Sequence, residues 1–587
     1  MIKVTDYIAH RLKEVYGVRH IFMVSGGGAM HINDSFGQVF DYICNHNEQA
    51  SGICGEGYAR VSQKLGVVSV TTGPGGLNAM NGLFGCWTDS VPVLFISGQV
   101  KFSTTVACCR EIPLRQLGDQ EVDIISVVRP LTKYCAMIRD VRLVKYHVDR
   151  AVYEATHGRF GPVWLDVPMN IQGALMDEND QVEFVPPAES VWNCRIPEVL
   201  KKLRQAQRPL IVAGHGIRLS GASAEFGAFL EKFRAPVVTT FNGFDQMDDE
   251  HPLYAGRIGT VGQRAGNFAL QNADCVLFLG TRNNIRQASY NWENFASRAC
   301  KIVVDVDAAE LCKPTVRPDL PVLADVKTFL AELTAALEPA SYDSWVEWCR
   351  TRRDRYDADN TPEYRHTDKI NVYSFVRQLT RRMKSDDVLV AGNGSACVCL
   401  FQCGVVKKGQ RQILNSGDAS MGYDLPAAIG AAVSSGRRTI CLTGDGSIMM
   451  NLQELETIRL HRLPIKIFVI NNDGYVSIKQ TQNNFFAGRN CGAGRSSGVS
   501  IPDFVRVAEA FGIRAVKLSE PSCIEKTVED VLASDGPVLC EVVVNPNYIF
   551  LPKLSSRKLD DGTMVSPSLE DMFPFLDRKE FEENMIW

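Results

Sequence analysis

Two short polar turns constrain this chain more than any other feature. Gly444-Asp445-Gly446 follows the apolar run ICLT, and Asn471-Asn472 closes the apolar run IKIFVI. Between them LQELETIRL carries apolar residues at helical spacing, so the stretch predicts one β-α-β unit with two buried parallel strands. In open α/β sheets ligands bind outside the carboxyl ends of the strands. An acidic turn at one strand end and an amide pair at the next let Asp445 and Asn472 offer oxygens to one Mg²⁺. That ion takes few protein ligands and completes its shell with phosphate and water. Gly446 would let a pyrophosphate approach the backbone. Either turn alone is ordinary Asn/Asp/Gly turn chemistry; the information lies in the pair.

The same alternation of apolar runs and helical patterns recurs along the 587 residues, which predicts an α/β protein with three doubly wound parallel-sheet domains. Residues 1–175 hold HIFMV, GVVSVTT, VPVLFIS and GPVWLDVP; residues 190–340 hold PLIVAG, PVVTT, CVLFLG and KIVVDV; residues 365–550 hold DVLVAG, TICLTG, IKIFVI and PVLCEVVV. Residues 551–587 have no strand pattern and read as a docking tail whose anchors would be Phe573, Phe575 and Trp587.

A net charge of −4 without a basic cluster argues against nucleic acid and anionic membrane as partners. No apolar run approaches the roughly 18 residues of a spanning helix. The charged, amphipathic start MIKVTDYIAHRLKEVYGV does not read as a signal peptide. The 18 cysteines show no paired metal-ligand spacing and read as reduced thiols. A cytoplasmic enzyme is expected.

The Gly-Asp-Gly and Asn-Asn pair resembles the thiamine diphosphate motif, and the chain as a whole resembles the acetohydroxyacid (acetolactate) synthase-like family. In NHNEQASGICGEGYAR, Glu48 stands in an EQ pair ahead of EGYAR, as in that family. On position alone Glu48 would be a helix-starting carboxylate favoured by the N-terminal dipole. The resemblance implies instead that it hydrogen-bonds the aminopyrimidine and promotes loss of the thiamine C2 proton. It also implies a fold of pyrimidine-binding, central and pyrophosphate-binding domains. The implied metal ligands are Asp445, the Asn472 side chain and the backbone carbonyl of Gly474. Cofactor contacts would come from Gly73, Pro74 and Asn78 in TTGPGGLNAMNGL, and from Gly392, Asn393, Gly394 and Ser395 in VAGNGSACV. Met421 would be the wedge under a bent thiamine, and Gly444, Gly446, Ser447 and Tyr475 would surround the diphosphate. Taken alone, Met421 reads as core.

The middle segment resembles the flavin-binding domain of the same family, which carries a structural FAD onto Gly214, Gly216, Arg282, Asp305 and Asp325. Asn283-Asn284 depart from the family's aromatic and acid there, and an empty or ADP-holding pocket is the alternative. Family members build the active site between two chains, so a homodimer or homotetramer is implied. His31, Gln120 and Lys133 stand as catalytic candidates for acceptor or proton handling.

The expected function is a carboligase that decarboxylates a 2-keto acid, pyruvate by resemblance, and transfers the two-carbon unit to a ketone acceptor. Asp119 stands where synthases carry an aromatic, Thr481 where they carry a Trp, and Ser25-Gly26-Gly27-Gly28-Ala29 replaces a PGGA turn. A larger, more polar pocket favours an acceptor bigger than pyruvate. The branch that acts on nucleotide-linked keto-deoxysugars, as in yersiniose-type acetyl transfer, fits that expectation. The alternatives are acetolactate synthase, another thiamine diphosphate lyase, hydrolase or oxidase, and a non-catalytic scaffold.

Overall fold

The structure, a computed structural model, describes residues 1–586 apart from 189, 559 and 560. Three six-stranded parallel sheets follow one another along the chain. The first contains β1 (His20–Met23), β2 (Asp41–Cys44), β3 (Gly66–Val70), β4 (Val93–Gln99), β5 (Tyr134–Met137) and β6 (Val163–Pro168), in the order 2-1-3-4-6-5. The middle sheet contains β7 (Pro209–Ala213), β8 (Val237–Thr239), β9 (Tyr254–Arg257), β10 (Cys275–Leu279), β11 (Cys300–Asp305) and β12 (Leu320–Leu323), in the order 9-8-7-10-11-12. The third contains β13 (Val388–Ala391), β14 (Arg411–Leu414), β15 (Thr439–Gly444), β16 (Ile465–Asn471), β17 (Arg514–Leu518) and β18 (Val538–Val543), in the order 14-13-15-16-18-17. The first and third sheets therefore share one topology that their sequences do not reveal, and the middle sheet has the dinucleotide-fold order.

Central strands such as β4, β6, β10 and β16 are apolar runs because helices cover both faces. The six strands outside those apolar runs, β2, β5, β9, β12, β14 and β17, are the six edges of the three sheets. Each is only four or five residues long and has one neighbour, so its sequence carries a weaker signal.

Helix α1 (Glu48–Ser62) and helix α2 (Met80–Asp89) belong to the first unit, α3 (Arg264–Asn272) to the middle unit, and α4 (Ser395–Cys403) and α5 (Asp424–Ser435) to the third. The first and third units lock together where α1 meets α5. A Cβ on Gly430 would lie 2.0 Å from the Cys54 carbonyl oxygen, and one on Gly57 would lie 2.4 Å from that of Ala427. Only glycine permits backbones to approach so closely. Glu454 reinforces this contact by accepting from Asn45 Nδ2 at 2.8 Å and from the His46 amide at 2.9 Å.

The tail docks on the middle unit. Along one face of α3, Asn267 Nδ2 donates to the Leu569 carbonyl at 3.0 Å and Gln271 Nε2 to Glu570 at 2.7 Å. Asn272 donates to the Asn584 carbonyl at 2.9 Å and accepts from the Ile586 amide at 2.7 Å. Of the expected aromatic anchors, Phe573 is half-buried and its backbone pairs with Lys553. Leu569 and Met572 are buried, Phe575 is exposed, and Trp587 lies outside the described residues. Among the described residues no helix is long and apolar enough to cross a membrane.

Candidate active site

The carboxyl ends of β1, β3 and β4 bring three turns together. A Cβ on Gly26 would lie 2.5 Å from Thr71 Cβ, and one on Gly28 would lie 1.9 Å from Thr72 Oγ1, so the 25–29 turn rests on the turn after β3. Glu48 opens α1 behind an Asn47 N-cap that accepts from the Gln49 amide at 2.8 Å. Its buried carboxylate accepts from Asn78 Nδ2 at 3.0 Å. A Cβ on Gly75 would come within 3.3 Å of Glu48 Oε1, so the Gly73-Pro74-Gly75 turn lies against the carboxyl group. Gly73 has φ +61°, and a Cβ there would meet the Gln120 carbonyl oxygen at 1.9 Å. Exposed Gln120 thus stands beside this turn with φ +59°.

Glu121 folds the segment that carries Gln120. It accepts from the Val106, Leu117 and Gly118 amides at 2.5, 2.9 and 3.1 Å. Gln99 holds the next residue through the Val122 carbonyl at 3.0 Å. Neither role shows in the sequence, because a carboxylate that gathers amides from its own loop has no motif.

His31 packs its ring against Gly173, and no hydrogen bond among the described residues joins it to Glu48. Lys133 lies apart from Glu48 within the chain. It precedes β5, at the amino ends of the strands and thus the opposite edge of the sheet from Glu48. Its Nζ is held by the carbonyls of Glu154 and of His157, the latter at 2.8 Å. Within one chain this ammonium ties two elements together.

In the third unit, Asp445 follows β15 and its carboxylate is almost fully buried. Oδ1 accepts from the Gly446 amide at 2.7 Å, and Oδ2 from the Asn472 and Gly474 amides at 2.9 and 3.1 Å. Burial pushes the Asp445 carboxyl up to about 6, opposed by these three amides. Asn472 follows β16; its Nδ2 donates to the Tyr548 hydroxyl at 3.0 Å, whereas its Oδ1 is buried without a partner. An orphaned buried carbonyl oxygen beside a buried carboxylate suits a hard divalent cation. Gly474, at φ +116°, leaves no space for a side chain, since a Cβ would meet the Ala493 carbonyl oxygen at 2.5 Å. Among the described residues no cluster of three His, Cys, Asp or Glu side chains could hold a metal. A site made of one carboxylate, one amide and a backbone carbonyl would not form such a cluster.

The surrounding glycines serve packing more than the sequence suggests. A Cβ on Gly446 would sit 2.1 Å from the Tyr475 ring, so that face is covered by an aromatic side chain. A Cβ on Gly392 would lie 1.9 Å from Asp424 Oδ2. Ser447 donates to Asp424 at 2.5 Å and accepts from the Gly422 amide at 2.9 Å, which fixes the turn just after half-buried Met421. Asn393 Nδ2 donates to the Ala419 carbonyl, linking Gly392–Ser395 to the same turn. Gly394 has φ +84° and caps α4. Gly444 is the N-cap of the Asp445 turn.

A cavity of about 370 Å³ in the middle unit is lined by Gly216, Arg282, Asp305 and Asp325, together with His215 and Ser416. Gly214 is not on its wall; a Cβ there would meet the Gly280 carbonyl oxygen at 2.3 Å. Arg282 lies 3.4 Å from Asp89 of the first unit. Asp325 caps a helix through the Lys327 and Thr328 amides, and Asp305 accepts from the Asp307 amide at 2.9 Å. Both His215 ring nitrogens are buried without partners. Burial, aided by Arg60, Arg411 and Arg218, pushes His215 down to about 3. A neutral imidazole offers one donor and one acceptor to an uncharged heterocycle, so the wall suits a nucleotide-like ligand.

The family models that match the chain cover each unit in turn. They are the thiamine pyrophosphate enzyme N-terminal TPP binding domain over residues 2–127, the central domain over 196–333, and the C-terminal TPP binding domain over 392–542. The acetolactate synthase large subunit of Lactococcus lactis subsp. lactis is 32% identical over 560 residues, covering 94% of this chain and 94% of that protein. The acetolactate synthase isozyme 2 large subunit of Escherichia coli (strain K12) is 30% identical over 546 residues, covering 92% and 95%. Acetolactate synthase 1, chloroplastic, of Zea mays is 30% identical over 566 residues, covering 92% and 85%.

Proposed function

This chain belongs to the acetolactate synthase-like thiamine pyrophosphate enzymes, and from that premise we propose that it decarboxylates a 2-keto acid and passes the two-carbon unit to a ketone larger than pyruvate. The observation that carries this reading is that one chain holds both half-sites, the Glu48 carboxylate held by Asn78 and the buried Asp445 beside the free Asn472 oxygen. Thiamine diphosphate, when bound, supplies the carbon centre at which such an acid loses CO₂ and its remainder becomes nucleophilic. Asp445, the free Asn472 oxygen and the Gly474 carbonyl would hold its Mg²⁺. Gly392, Asn393, Gly394, Ser395, Gly444 and Ser447 would border the diphosphate, and Met421 would support the thiamine. Glu48 would hold or release a proton at the pyrimidine, aligned by Asn78 and the Gly73-Pro74 turn.

The site takes two chains in this reading. Among the described residues no hydrogen bond joins Glu48 to the third unit. Leu77, Phe84 and Trp87 are exposed beside the Glu48 turn, as are Met449 and Met450 beyond Asp445. Apolar side chains flanking both half-sites favour a homodimer or a pair of dimers in which each Glu48 serves its partner's cofactor.

FAD is the proposed occupant of the middle cavity, with Arg282 on its phosphates and Asp305 and Asp325 on ribose. Its role is structural, because joining two carbon units involves no net redox change. For the acceptor, exposed Gln120 on the Glu121-anchored loop and His31 are the polar groups offered, and Thr481 stands where synthases of the family carry a Trp. These features favour a hydroxyl-bearing acceptor such as a nucleotide-linked keto-deoxysugar. The test is incubation with thiamine diphosphate, Mg²⁺ and labelled pyruvate, with and without a panel of nucleotide-linked ketosugars, followed by mass spectrometry. A two-carbon gain on a sugar supports the reading. Acetolactate alone would assign the chain to acetolactate synthesis, and absence of CO₂ release would refute pyruvate as donor.

A further inference from the structure

We propose that Tyr548 is a positioning residue that turns the Asn472 amide toward the metal, and that docking of the C-terminal tail sets metal affinity through it. This rests on the reading of Asp445 and Asn472 as the Mg²⁺-thiamine diphosphate site.

An amide side chain has two nearly isosteric ends, and only one ligates a cation. At Asn472 the choice is made by neighbours. Nδ2 donates to the Tyr548 hydroxyl at 3.0 Å and lies 3.4 Å from Ser395 Oγ. The Tyr548 hydroxyl gives its own proton to Ser395 Oγ. Its lone pairs are therefore what Asn472 meets, and they accept an N–H but would repel a carbonyl oxygen. The amide nitrogen is committed to Tyr548, and Oδ1 is the buried atom left free.

Tyr548 lies where the chain leaves the third sheet for the tail, and the backbone on both sides of it is held. Gln480 donates to the Tyr548 carbonyl at 3.2 Å and accepts from the Phe550 amide at 3.4 Å. The Leu551 amide donates to the Tyr373 hydroxyl at 3.0 Å, and Gln402 donates to the Pro552 carbonyl at 2.6 Å. The Leu554 amide then donates to Thr260 of the middle unit at 2.9 Å, and Lys553 pairs with Phe573. Beyond that pairing, α3 grips the tail through Arg264 on the Met572 and Pro574 carbonyls and Asn272 on Asn584 and Ile586. One continuous, hydrogen-bonded segment thus joins the orienting hydroxyl to the middle unit.

The test measures thiamine diphosphate binding to the full chain as Mg²⁺ is titrated, by calorimetry, with folding checked by circular dichroism. Tyr548→Phe should weaken Mg²⁺-dependent binding roughly tenfold, which is about 1.4 kcal/mol, while turnover at saturating Mg²⁺ and cofactor changes less than about threefold. In an Asn472→Asp background the same substitution should cost nothing, since a carboxylate presents oxygen at both ends. Arg264→Ala with Asn272→Ala should lower Mg²⁺ affinity in the native background and have no further effect beside Tyr548→Phe. Unchanged affinity in Tyr548→Phe, with normal binding by the unaltered chain, overturns this proposal alone. A Tyr548→Phe loss that persists beside Asn472→Asp overturns the orienting role, and additive losses overturn the coupling to the tail. No Mg²⁺-dependent binding by the unaltered chain overturns the site reading and this proposal with it.

Discussion

Asp166 offers a stringent check on how the first unit is held together. It is completely buried on β6, where Oδ1 accepts from Ser97 Oγ at 2.6 Å and Oδ2 from Gln99 Nε2 at 3.1 Å. Burial pushes its carboxyl from 3.8 up to about 7, against the pull of those two donors. The folded state therefore holds a proton that the unfolded chain releases between about pH 4 and pH 7. Stability falls as pH rises through that window and is flat above it. At about 1.4 kcal/mol per pH unit, the cost at pH 8 reaches about 4 kcal/mol as an upper bound. Asp166→Asn removes the ionisation. The amide keeps an acceptor for Ser97 and loses the one for Gln99, which costs about 1 kcal/mol. The variant should be more stable than the native chain by about 3 kcal/mol at pH 8 and less stable by about 1 kcal/mol near pH 4, by the same balance. The assay is hydrogen–deuterium exchange of the peptides covering 93–99 and 163–168 at several pH values, which reports on this unit alone. A variant less stable at pH 8, or a difference that does not change with pH, would refute the reasoning.

Three further outcomes follow from the site and the fold. Glu48→Gln should lower pyruvate decarboxylation by roughly 100-fold or more while calorimetry still shows Mg²⁺-dependent cofactor binding; retained turnover would remove Glu48 from the chemistry. Asp445→Ala deletes the anionic ligand and the acceptor of three amides, so Mg²⁺-dependent thiamine diphosphate binding should drop by roughly two orders of magnitude or vanish, and binding that no longer responds to Mg²⁺ but stays tight would relocate the metal. Gly430→Ala drives a Cβ to 2.0 Å from the Cys54 carbonyl oxygen, which should cost about 1–3 kcal/mol or more and raise exchange in both α1 and α5; unaltered exchange would show that the two helices shift freely.

The sequence by itself determined the parts whose physics is local. Continuous apolar runs announced the central strands, since a parallel strand covered on both faces tolerates little else. Gly444-Asp445-Gly446 and Asn471-Asn472 were legible because each lies at the end of such a run, and the strand ends that they mark do carry Asp445 and Asn472 side by side. Glu48 was marked only by the resemblance of its EQ pair and EGYAR, and its contact with Asn78 joins two turns that the sequence had marked separately.

Tertiary structure decided what depends on contacts between distant residues. The edge strands β2, β5, β9, β12, β14 and β17 are only four or five residues long, too short for a pattern to stand out. The shared topology of the first and third sheets is a property of pairing, which composition does not encode. Lys133 stood beside Gln120 as a candidate in the sequence, and the fold puts it on two carbonyls at the far end of the strands. Gly446 gave no sign in the sequence that Tyr475 would pack against it where a Cβ would lie. Tyr548, separated from Asn472 by 76 positions, had no motif at all. A hydrogen bond between the end of one strand and the segment leaving another forms only once the whole sheet is assembled, so only the assembled sheet could reveal it.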